Sequence, residues 1–303
     1  MRVNAIQQNI YVQRVNHVLD YISTHLDDEL PLKQLAAVAG FSDYHFHRIF
    51  KAIVGETLNQ FVWRVRIERG AALLRSDPNV KVSDVAVDCG FTSLAGFSRA
   101  FKAHFGVAPT QWNRLSRLRN EPEWSRDQRP TYHITTLHAL PEKFPVHFRH
   151  MPAQRLAYIR VHDSYRDMQR IEDAYHRLFR WYEAQGGSLA DTTLYGMSQD
   201  DPDITPQELC RFDWCLRVPD TWQGDGEVNI RDFPACLLAA IEMNGTGLDV
   251  EERLWQYFWR DWLPRSHYQP ANLPAMEIYR RFPHEAGWWD TLYMTCALPV
   301  TRL

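Results

Sequence analysis

The residues from Val85 to Lys102 read Val-Ala-Val-Asp-Cys-Gly-Phe-Thr-Ser-Leu-Ala-Gly-Phe-Ser-Arg-Ala-Phe-Lys, and those from Leu35 to Lys51 follow the same design. Each segment has a small residue, Ala36 or Ala86, four positions before a glycine, and the glycine is followed by Phe and a hydroxyl residue. The alanine lets two helices approach, the glycine accepts a positive φ at a turn, and the hydroxyl residue caps the next helix. Each segment therefore predicts a helix-turn-helix.

The helix after each turn is predicted to have two different faces. Helical spacing turns one set of side chains inward: Phe46, Ile49, Phe50 and Ile53 in the first copy, and Phe97, Ala100 and Phe101 in the second. The opposite faces carry Tyr44, His47, Arg48 and Lys51 in the first copy, and Ala95, Ser98, Arg99 and Lys102 in the second. A face of aromatic, polar and basic side chains suits the major groove of DNA. For one copy considered alone, the alternative is a solvent-exposed face in a helical bundle. The presence of a second copy with the same pattern favours DNA binding.

The segment between the two copies predicts a single long helix. It runs from Thr57 to Arg75, which is 19 residues and therefore about 28 Å at 1.5 Å per residue. Successive major grooves on one side of a duplex lie roughly 34 Å apart. A single chain could therefore place two recognition helices in adjacent grooves.

Charge is divided unevenly along the chain. The 303 residues carry a net charge of -3, but residues 1–120 carry +5 and residues 121–303 carry -8. Nine of the eleven tryptophans lie in the second half. Because this length suits two domains, we expect a basic domain that meets a polyanion, followed by an acidic domain that does not.

Other sequence features concern location and bound groups. No segment approaches the roughly 18 apolar residues of a membrane span, and residues 1–11 lack a signal-peptide pattern. The five cysteines form no Cys-x-x-Cys pair, and the thirteen histidines include no His-Glu-x-x-His motif. We therefore expect a cytoplasmic protein with reduced cysteines, no membrane partner, no metal site and no cofactor.

The second of the two segments also resembles a known family. Gly90-Phe-Thr-Ser-Leu-Ala-Gly-Phe-Ser-Arg-Ala-Phe-Lys-Ala-His-Phe-Gly-Val-Ala-Pro109 is similar to the signature of the AraC/XylS transcription regulators, and the likeness covers about residues 10–117. It implies seven helices, with the third and sixth as recognition helices. The DNA contacts it implies, together with the acidic and basic residues beside them, are Asp43, Tyr44, His47, Arg48 and Lys51, and then Leu94, Ala95, Ser98, Arg99 and Lys102.

One departure from the family pattern concerns the second recognition helix. Leu94-Ala95-Gly96 stands where polar residues are more common in the family. We therefore expect this helix to read DNA shape, thymine methyl groups or phosphates more than the hydrogen-bonding edges of bases.

A charged segment divides the chain into two parts. Leu118 to Pro130 contains two prolines and has no helical period, which is typical of a domain boundary. We therefore predict an all-α double helix-turn-helix domain at 8–118, a linker at 119–142 and a second domain at 143–303.

An internal repeat organises the second domain. It aligns Val146-His-Phe-Arg-His-Met-Pro-Ala-Gln-Arg-Leu-Ala-Tyr-Ile159 with Val228-Asn-Ile-Arg-Asp-Phe-Pro-Ala-Cys-Leu-Leu-Ala-Ala-Ile241, with seven of fourteen positions identical at an offset of 82. The predicted helices that follow are Met168–Gln185 and Asp249–Leu263, and the predicted strands are Thr193–Met197 with Arg211–Val218, and Ala275–Arg281 with Thr291–Leu298. Two strand-helix-strand units predict an α+β domain with pseudo-two-fold symmetry, with a small-molecule groove where two sheets meet.

Glu277 is the central candidate for ligand binding. Strand alternation places Met276 and Ile278 on one face and Glu277 and Tyr279 on the other. A carboxylate among aromatic rings attracts an organic cation through its charge and through cation-π contacts. The predicted ligand-binding set is Tyr195, which aligns with Glu277 in the first repeat, Trp214, Glu277 and Tyr279.

Two structural alternatives stay open for these residues. Glu277 could instead pair with Arg280 or Arg281 on an exposed strand. The aromatic stripe along the second predicted helix is expected to be core packing for the most part; it consists of Leu254, Trp255, Phe258, Trp259 and Trp262.

Residues 143–303 resemble the GyrI-like domain, an effector-binding module behind bacterial DNA-binding domains. The likeness rests on the doubled strand-helix pattern and on Pro-Ala-Met-Glu-Ile-Tyr279. It implies that Glu277 lies in a ligand pocket with aromatic walls, and the domain order is similar to that of Rob-type regulators. Glu242-Met243 departs from the family, in which a His-Gly or similar pair often follows the strand.

The leading hypothesis is a non-enzymatic transcription regulator that binds double-stranded DNA and responds to a small effector, with RNA polymerase as a further candidate partner. Two alternatives concern the second domain, which could be a protein-docking module or a hydrolase that uses Glu277 with Tyr195 for acid-base chemistry.

Overall fold

A computed structural model of the chain describes residues 2–77, 79–112, 144–280 and 291–303. We refer to residues 2–112 as the first domain and to residues 144–303 as the second domain. The predicted linker at 119–142 lies outside the described residues.

The first domain is all-α, as predicted. Its helices within the described residues are α1 (Arg2–Thr24), α2 (Leu32–Ala39), α3 (Asp43–Val54), α4 (Leu58–Ser76), α5 (Val82–Asp88) and α6 (Leu94–Phe105). A 3-10 turn at Pro109–Gln111 follows, close to where the described part of this domain ends. Six of the seven helices implied by the AraC/XylS resemblance are therefore found in the part of the domain that the structure describes.

Two hydrophobic cores fill the first domain, one for each helix-turn-helix. The first contains Leu35, Ala36, Phe46 and Phe50 and is closed by α1. The second contains buried side chains of α5 and α6, which are Val85, Ala86, Phe97, Ala100 and Phe101. The helix α4 belongs to both, because its residues from Leu58 to Val62 enter the first core and those from Ile67 to Leu74 enter the second.

The turns confirm the expected glycine chemistry and correct one cap. Gly40 has φ 66° and Gly90 has φ 74°, in the left-handed region that glycine adopts without strain. Ser42 is the N-cap residue of α3, as expected, although its side chain makes no capping hydrogen bond. The predicted cap of α6 at Thr92 was wrong by one residue, because Ser93 takes that position and its Oγ accepts from the N–H of Gly96 at 3.1 Å.

Arg66 on α4 ties the two helix-turn-helix units together. Its guanidinium donates to the carbonyl oxygens of Leu26 (2.8 Å) and Asp28 (2.6 Å), which lie between α1 and α2. It also donates to the carbonyl oxygen of Gly90 in the turn of the second unit (3.1 Å). One side chain therefore satisfies three backbone acceptors that come from both units.

The second domain is built on one antiparallel sheet. In the described residues its strands are β1 (His147–Met151), β2 (Gln154–His162), β3 (Leu194–Ser198), β4 (Arg211–Arg217), β5 (Asn229–Phe233), β6 (Cys236–Thr246), β7 (Tyr268–Pro270), β8 (Ala275–Tyr279) and β9 (Leu292–Arg302). Their order is β1-β6-β9-β8-β3-β4-β2-β5, and β7 pairs with β9. The helices are α7 (Met168–Ala184) and α8 (Leu248–Tyr257), which continues as a π-helical turn at Phe258–Trp262.

The strand boundaries follow the sequence repeat. The limits of β1 shifted by the offset of 82 residues give the limits of β5. The strands β2 and β6 begin at corresponding positions, and β6 ends two residues later. The first strand of each repeat pairs with the other repeat, since β1 pairs with β6 and β5 pairs with β2. The α+β pseudo-two-fold fold is therefore confirmed.

One detail of the predicted architecture is corrected. The two repeats form a single sheet rather than two sheets that meet, because β3 and β8 pair with each other at its centre. This pairing satisfies the backbone groups of both central strands, which would otherwise be exposed edges.

The sheet has two different faces. One face carries Ala157, Ile159 and Trp214 and is covered by α7 and α8, and we call it the helix face. The opposite face carries Leu156, Tyr158 and other side chains of a second core cluster. This division follows from strand alternation.

The helix α1 of the first domain contacts the second of these faces through a buried charge cluster. The carboxylate of Asp20 accepts from the hydroxyl of Tyr158 at 2.5 Å and from Arg160 at 2.8 Å, and Arg231 lies 3.4 Å away. Arg160 also pairs with the buried Asp213 at 2.7 Å. Burial alone would raise the pKa of Asp20, but the charges of Arg160 and Arg231 outweigh it and lower this pKa. Asp20 is therefore held ionised between the two domains.

We predict that Gly90→Ala destabilises the protein much more than Gly55→Ala. Both glycines have a positive φ (74° and 87°), so both alanines meet a backbone strain of about 1 kcal/mol. A Cβ at position 90 would also lie 2.6 Å from the carbonyl oxygen of Leu26 and 2.9 Å from Arg66, whereas nothing lies within 4 Å at position 55. We expect a loss of roughly 3 kcal/mol for Gly90→Ala against about 1 for Gly55→Ala.

Chemical unfolding of the complete chain measures both variants. Equal losses of unfolding free energy would contradict the close approach between the turn of the second unit and the end of α1.

Candidate DNA interface and ligand site

The first recognition helix presents its predicted face to solvent. Phe46 and Phe50 are fully buried, and they fix the rotation of α3 against the first core. The opposite side exposes every predicted contact residue with both domains present: Asp43, Tyr44, His47, Arg48 and Lys51. Tyr44 is 76% exposed, and the guanidinium of Arg48 lies 5.9 Å from its ring. This face offers guanidinium, imidazole, hydroxyl and ammonium donors to a polyanion with base edges.

The second recognition helix presents a less polar face. Leu94, Ala95, Arg99 and Lys102 are exposed, and Ser98 is half-buried. Leu94 is 48% exposed although it is a large apolar residue. The two cationic side chains of this helix, Arg99 and Lys102, can bind phosphates, while Leu94 and Ala95 offer methyl groups rather than hydrogen-bond donors.

Three of the four predicted ligand-binding residues share the helix face of the sheet. Gly196 on β3 pairs with Glu277 on β8 and with Trp214 on β4, so these side chains point to the same side. Tyr279 lies two residues after Glu277 and therefore on the same face, with its ring 5.4 Å from Trp214. We use the name groove for the place on the helix face where side chains of β8 and α8 meet beside Gly196 of β3.

Two carboxyl groups meet in the groove. The side chain of Glu251 on α8 is hydrogen-bonded to that of Glu277. The hydroxyl of Tyr279 donates to Glu277 Oε2 at 2.5 Å, and Trp255 Nε1 donates to Glu251 Oε1 at 3.2 Å. Aromatic donors therefore surround the pair.

Burial raises the pKa of both Glu251 and Glu277, and for Glu251 the charge of Glu277 raises it further. Two adjacent buried carboxyl groups repel each other when both are ionised, so each disfavours ionisation of the other. The pair therefore keeps a proton to higher pH than isolated carboxyl groups do, in a setting of aromatic rings.

Gly196 makes room for this arrangement. A Cβ at this position would lie 2.8 Å from Glu277 Oε2 and 2.7 Å from the ring of Phe212. A larger residue on β3 would therefore displace the carboxyl group of Glu277.

Tyr195 does not belong to the groove, which corrects its assignment to the ligand site. It pairs with Ile278 rather than with Glu277, so its side chain lies on the opposite face of the sheet. There its hydroxyl is 3.1 Å from the side-chain amide of Gln154. The alignment of the repeats equates Tyr195 with Glu277, whereas the residue that pairs with Glu277 is the next one along the strand, Gly196. A shift of one position along a strand moves a side chain to the opposite face of the sheet.

The alternative pairing of Glu277 with a neighbouring arginine is not found for Arg280. The guanidinium of Arg280 contacts the carboxylate of Glu242 at 3.4 Å and the carbonyl oxygen of Met243. Arg281 lies outside the described residues.

Glu251 is the site residue that the sequence analysis missed. A weak signal was present, because Glu251 and Trp255 are four residues apart and therefore neighbours on one side of an amphipathic helix. The aromatic stripe of this helix is core packing as expected, with Leu254 and Phe258 buried and Trp255, Trp259 and Trp262 packed against them.

In the part of the chain that the structure describes, no group of three or more His, Cys, Asp or Glu side chains is arranged to hold a metal ion. In the same part of the chain, none of the helices combines the length and the apolar character that crossing a bilayer requires.

Comparison with known proteins gives a match for each domain. Residues 11–115 match a helix-turn-helix domain, and residues 144–294 match the GyrI-like small molecule binding domain. Transcriptional regulator Rob of Salmonella typhimurium is 28% identical over 219 residues, which are 71% of this chain and 71% of that protein. The right origin-binding protein of Escherichia coli K12 is 29% identical over 193 residues, so the match spans 62% of each chain, a little under two thirds.

The first domain also matches a shorter relative over most of its length. The HTH-type transcriptional activator AarP of Providencia stuartii is 33% identical over 102 residues, which are 34% of this chain and 74% of that protein. Together with the match of the second domain, this likeness identifies the chain as a member of the AraC-type family of helix-turn-helix transcription regulators, with a GyrI-like small molecule binding domain at its C-terminal side.

Proposed function

We propose that the protein regulates transcription by binding double-stranded DNA through α3 and α6, and that an organic cation in the groove adjusts this activity. The observation that carries the proposal is the pair of exposed recognition faces on either side of α4. A face on which Tyr44 is 76% exposed, beside the exposed Arg48 and Lys51, has no packing role within the protein.

The two recognition helices have different roles in DNA binding. On α3, Arg48 and His47 can donate to base edges, while Lys51 in the last turn of the helix suits a phosphate. On α6, Arg99 and Lys102 bind the backbone, and Leu94 and Ala95 contact thymine methyl groups or follow groove shape. Sequence specificity therefore comes mainly from the first helix.

The groove recognises its ligand by charge and by aromatic surface. Ionisation of the Glu251–Glu277 pair supplies negative charge, and Trp255 and Tyr279, which donate hydrogen bonds to this pair, supply ring faces for cation-π contacts. A lipophilic organic cation fits this chemistry, whereas an anion would be repelled.

The effector acts through a difference in affinity for two states of the protein. A cation that binds one arrangement of the groove more tightly shifts the population toward that arrangement, and DNA affinity follows. The site of action is the cytoplasm, and RNA polymerase is a candidate partner of the DNA-bound protein.

The hydrolase alternative for the second domain loses the pair on which it was based. It required Tyr195 beside Glu277, and these side chains lie on opposite faces of the sheet. The docking alternative is separated by a thermal-shift measurement, because a pure docking module gains no stability from any organic cation.

We predict that Arg48→Ala and Lys51→Ala weaken DNA binding in different ways. Arg48→Ala should cost about 1–3 kcal/mol of binding to the preferred sequence and relax discrimination at one position. Lys51→Ala should weaken binding to all sequences alike and reduce the slope of log affinity against log salt by about one. Gel-shift titrations at several salt concentrations measure both effects.

The matched control for these variants is Arg166→Ala. Arg166 is also an exposed arginine, but it lies on the second domain and pairs with Asp163 at 3.6 Å. Its loss should leave DNA affinity unchanged, and an equal effect of all three substitutions would contradict the assignment of α3.

We predict that Glu277→Gln weakens binding of tetraphenylphosphonium about tenfold, because the groove loses the charge that attracts a cation. Glu242→Gln is the matched control, since Glu242 lies on β6, which β9 separates from β8, and its side chain is on the opposite face of the sheet from Ile241. Isothermal titration calorimetry measures both, and neutral triphenylphosphine oxide should bind the wild type and Glu277→Gln alike. A loss with Glu242→Gln as large as with Glu277→Gln would contradict the site.

We predict that the affinity for tetraphenylphosphonium rises with pH above 5. The raised pKa of both carboxyl groups means that the pair still holds a proton where ordinary carboxylates have lost theirs. As pH increases, this proton leaves and the groove becomes more negative, so a cation binds more tightly. Glu251→Gln leaves one titrating carboxyl group, whose pKa burial still raises, so the rise should be smaller. A wild-type affinity that does not change with pH, over the range in which the protein stays folded, would contradict the carboxyl pair.

A further inference from the structure

One side of α4 carries charged residues that face the second domain. Arg64, Glu68 and Arg75 are spaced i, i+4 and i+11, so they lie on the same side of the helix. All three are buried, which is unusual for charged residues on a helix that joins two helix-turn-helix units.

Arg75 is enclosed near the C-terminal end of α4. Its guanidinium is paired with the carboxylate of Asp201, and Asp203 lies 3.8 Å away. The same guanidinium lies 4.5 Å from the ring centre of Trp259. The second domain thus holds this arginine through two carboxylates and one aromatic face.

The middle of α4 is held by the segment that follows Asp201. Glu68 is hydrogen-bonded to Thr205 as well as to Arg64. Ile204 is buried within the core of the second helix-turn-helix unit. Apolar packing and a polar contact therefore act together at this point.

A third contact comes from the segment between β7 and β8. Arg69 on α4 donates to the carbonyl oxygen of Ala271 at 3.1 Å. The next residue, Asn272, donates through its side chain to the carbonyl oxygen of Ser23 at the end of α1. Several segments of the second domain therefore contact the first domain, and most of these contacts are made with α4.

All of these segments extend directly from the walls of the groove. Asp201 follows β3 and Ala271 precedes β8, and Ser198 pairs with Ala275, so both segments leave the same end of the two central strands. Trp259 lies in the π-helical turn that continues α8, eight residues after Glu251. Such a turn is frequent at functional positions because it departs from regular helix geometry.

Tyr165 is affected by the charges of both the carboxyl pair and the residue that pairs with Arg75. Burial raises the pKa of Tyr165, and the charges of Asp201, Glu251 and Glu277 raise it further. Since all three carboxylates are close enough to act on one hydroxyl, the groove and the residue that pairs with Arg75 belong to one electrostatic neighbourhood.

We propose that α4 is the element through which the groove acts on DNA binding: occupancy of the groove moves the segments at Asp201, Trp259 and Ala271, and these reposition α4. This inference rests on the proposed function, since it specifies how the ligand site is regulated. Because α4 belongs to the cores of both helix-turn-helix units, its displacement changes the spacing or tilt of α3 relative to α6. The ligand thereby changes how well two helices fit two grooves, and it does not need to separate the domains.

The test measures the separation of the recognition helices in the complete chain. Ala52 and Ala103 are exposed and occupy equivalent positions just after Lys51 and Lys102. Nitroxide labels at Ala52→Cys and Ala103→Cys, with the half-buried Cys236 changed to Ser, report this distance by pulsed electron spin resonance. We expect saturating tetraphenylphosphonium to shift the distance and to change DNA affinity by about fivefold or more.

Trp259→Leu and Arg75→Ala separate binding from coupling. Each should retain tetraphenylphosphonium affinity within about twofold of the wild type by calorimetry, and each should lose both the distance shift and the DNA response. Trp222→Leu is the matched control, because Trp222 packs against Trp181 and Tyr182 of α7 and should keep both responses.

The outcomes distinguish this inference from the proposed function. If the cation binds and changes DNA affinity while the distance stays constant, or if both variants keep the full response, α4 is not the output element and the ligand site stands. If the cation does not bind, the proposed function fails. In that case the role of α4 is tested without ligand, by comparing the label-to-label distance distribution of the wild type with those of Arg75→Ala and Trp259→Leu. Both substitutions must alter this distribution, and unchanged distributions would overturn the inference.

Discussion

One helix, α4, packs in both helix-turn-helix units and against the second domain, and the arrangement of all three depends on it. The residues of α4 fill the core of the first helix-turn-helix at one end and that of the second at the other, while its charged side is buried against the second domain. Nineteen helical residues form a rod of about 28 Å, which fixes the separation of the two units. Arg66 also restricts rotation of one unit relative to the other, because its guanidinium donates hydrogen bonds to backbone carbonyl oxygens of both units.

The features that could be predicted from sequence are those set by local periodicity. Two copies of a glycine turn, with aromatic residues at helical spacing, located α3 and α6 and their exposed faces, although the cap of α6 lies one residue later than predicted. An offset of 82 residues gave the pairs of strands in the second domain. The features that could not be predicted depend on register and on distant contacts. Tyr195 was assigned to the wrong face because one position reverses a strand, and Glu251 meets Glu277 only after α8 folds over the sheet.

Buried charges serve different purposes at the contact between the domains and in the groove. Between the domains, Asp20 and Arg75 are each matched by opposite charge, so they hold surfaces together. In the groove, Glu251 and Glu277 are like charges beside aromatic rings and a glycine that leaves them space. An arrangement that keeps two carboxyl groups together against their repulsion costs stability, which is typical of a binding site rather than of a structural contact.

We propose that α4 holds α3 and α6 so that a single protomer reads two adjacent major grooves on one side of a duplex. To test this, DNA bound by the complete chain is selected from a random pool, and the selected duplexes are mapped by hydroxyl-radical footprinting. Two protected segments centred about ten base pairs apart, with one protomer bound per site, are the expected result. Protection of a single groove, or a requirement for two protomers to cover both, would contradict it.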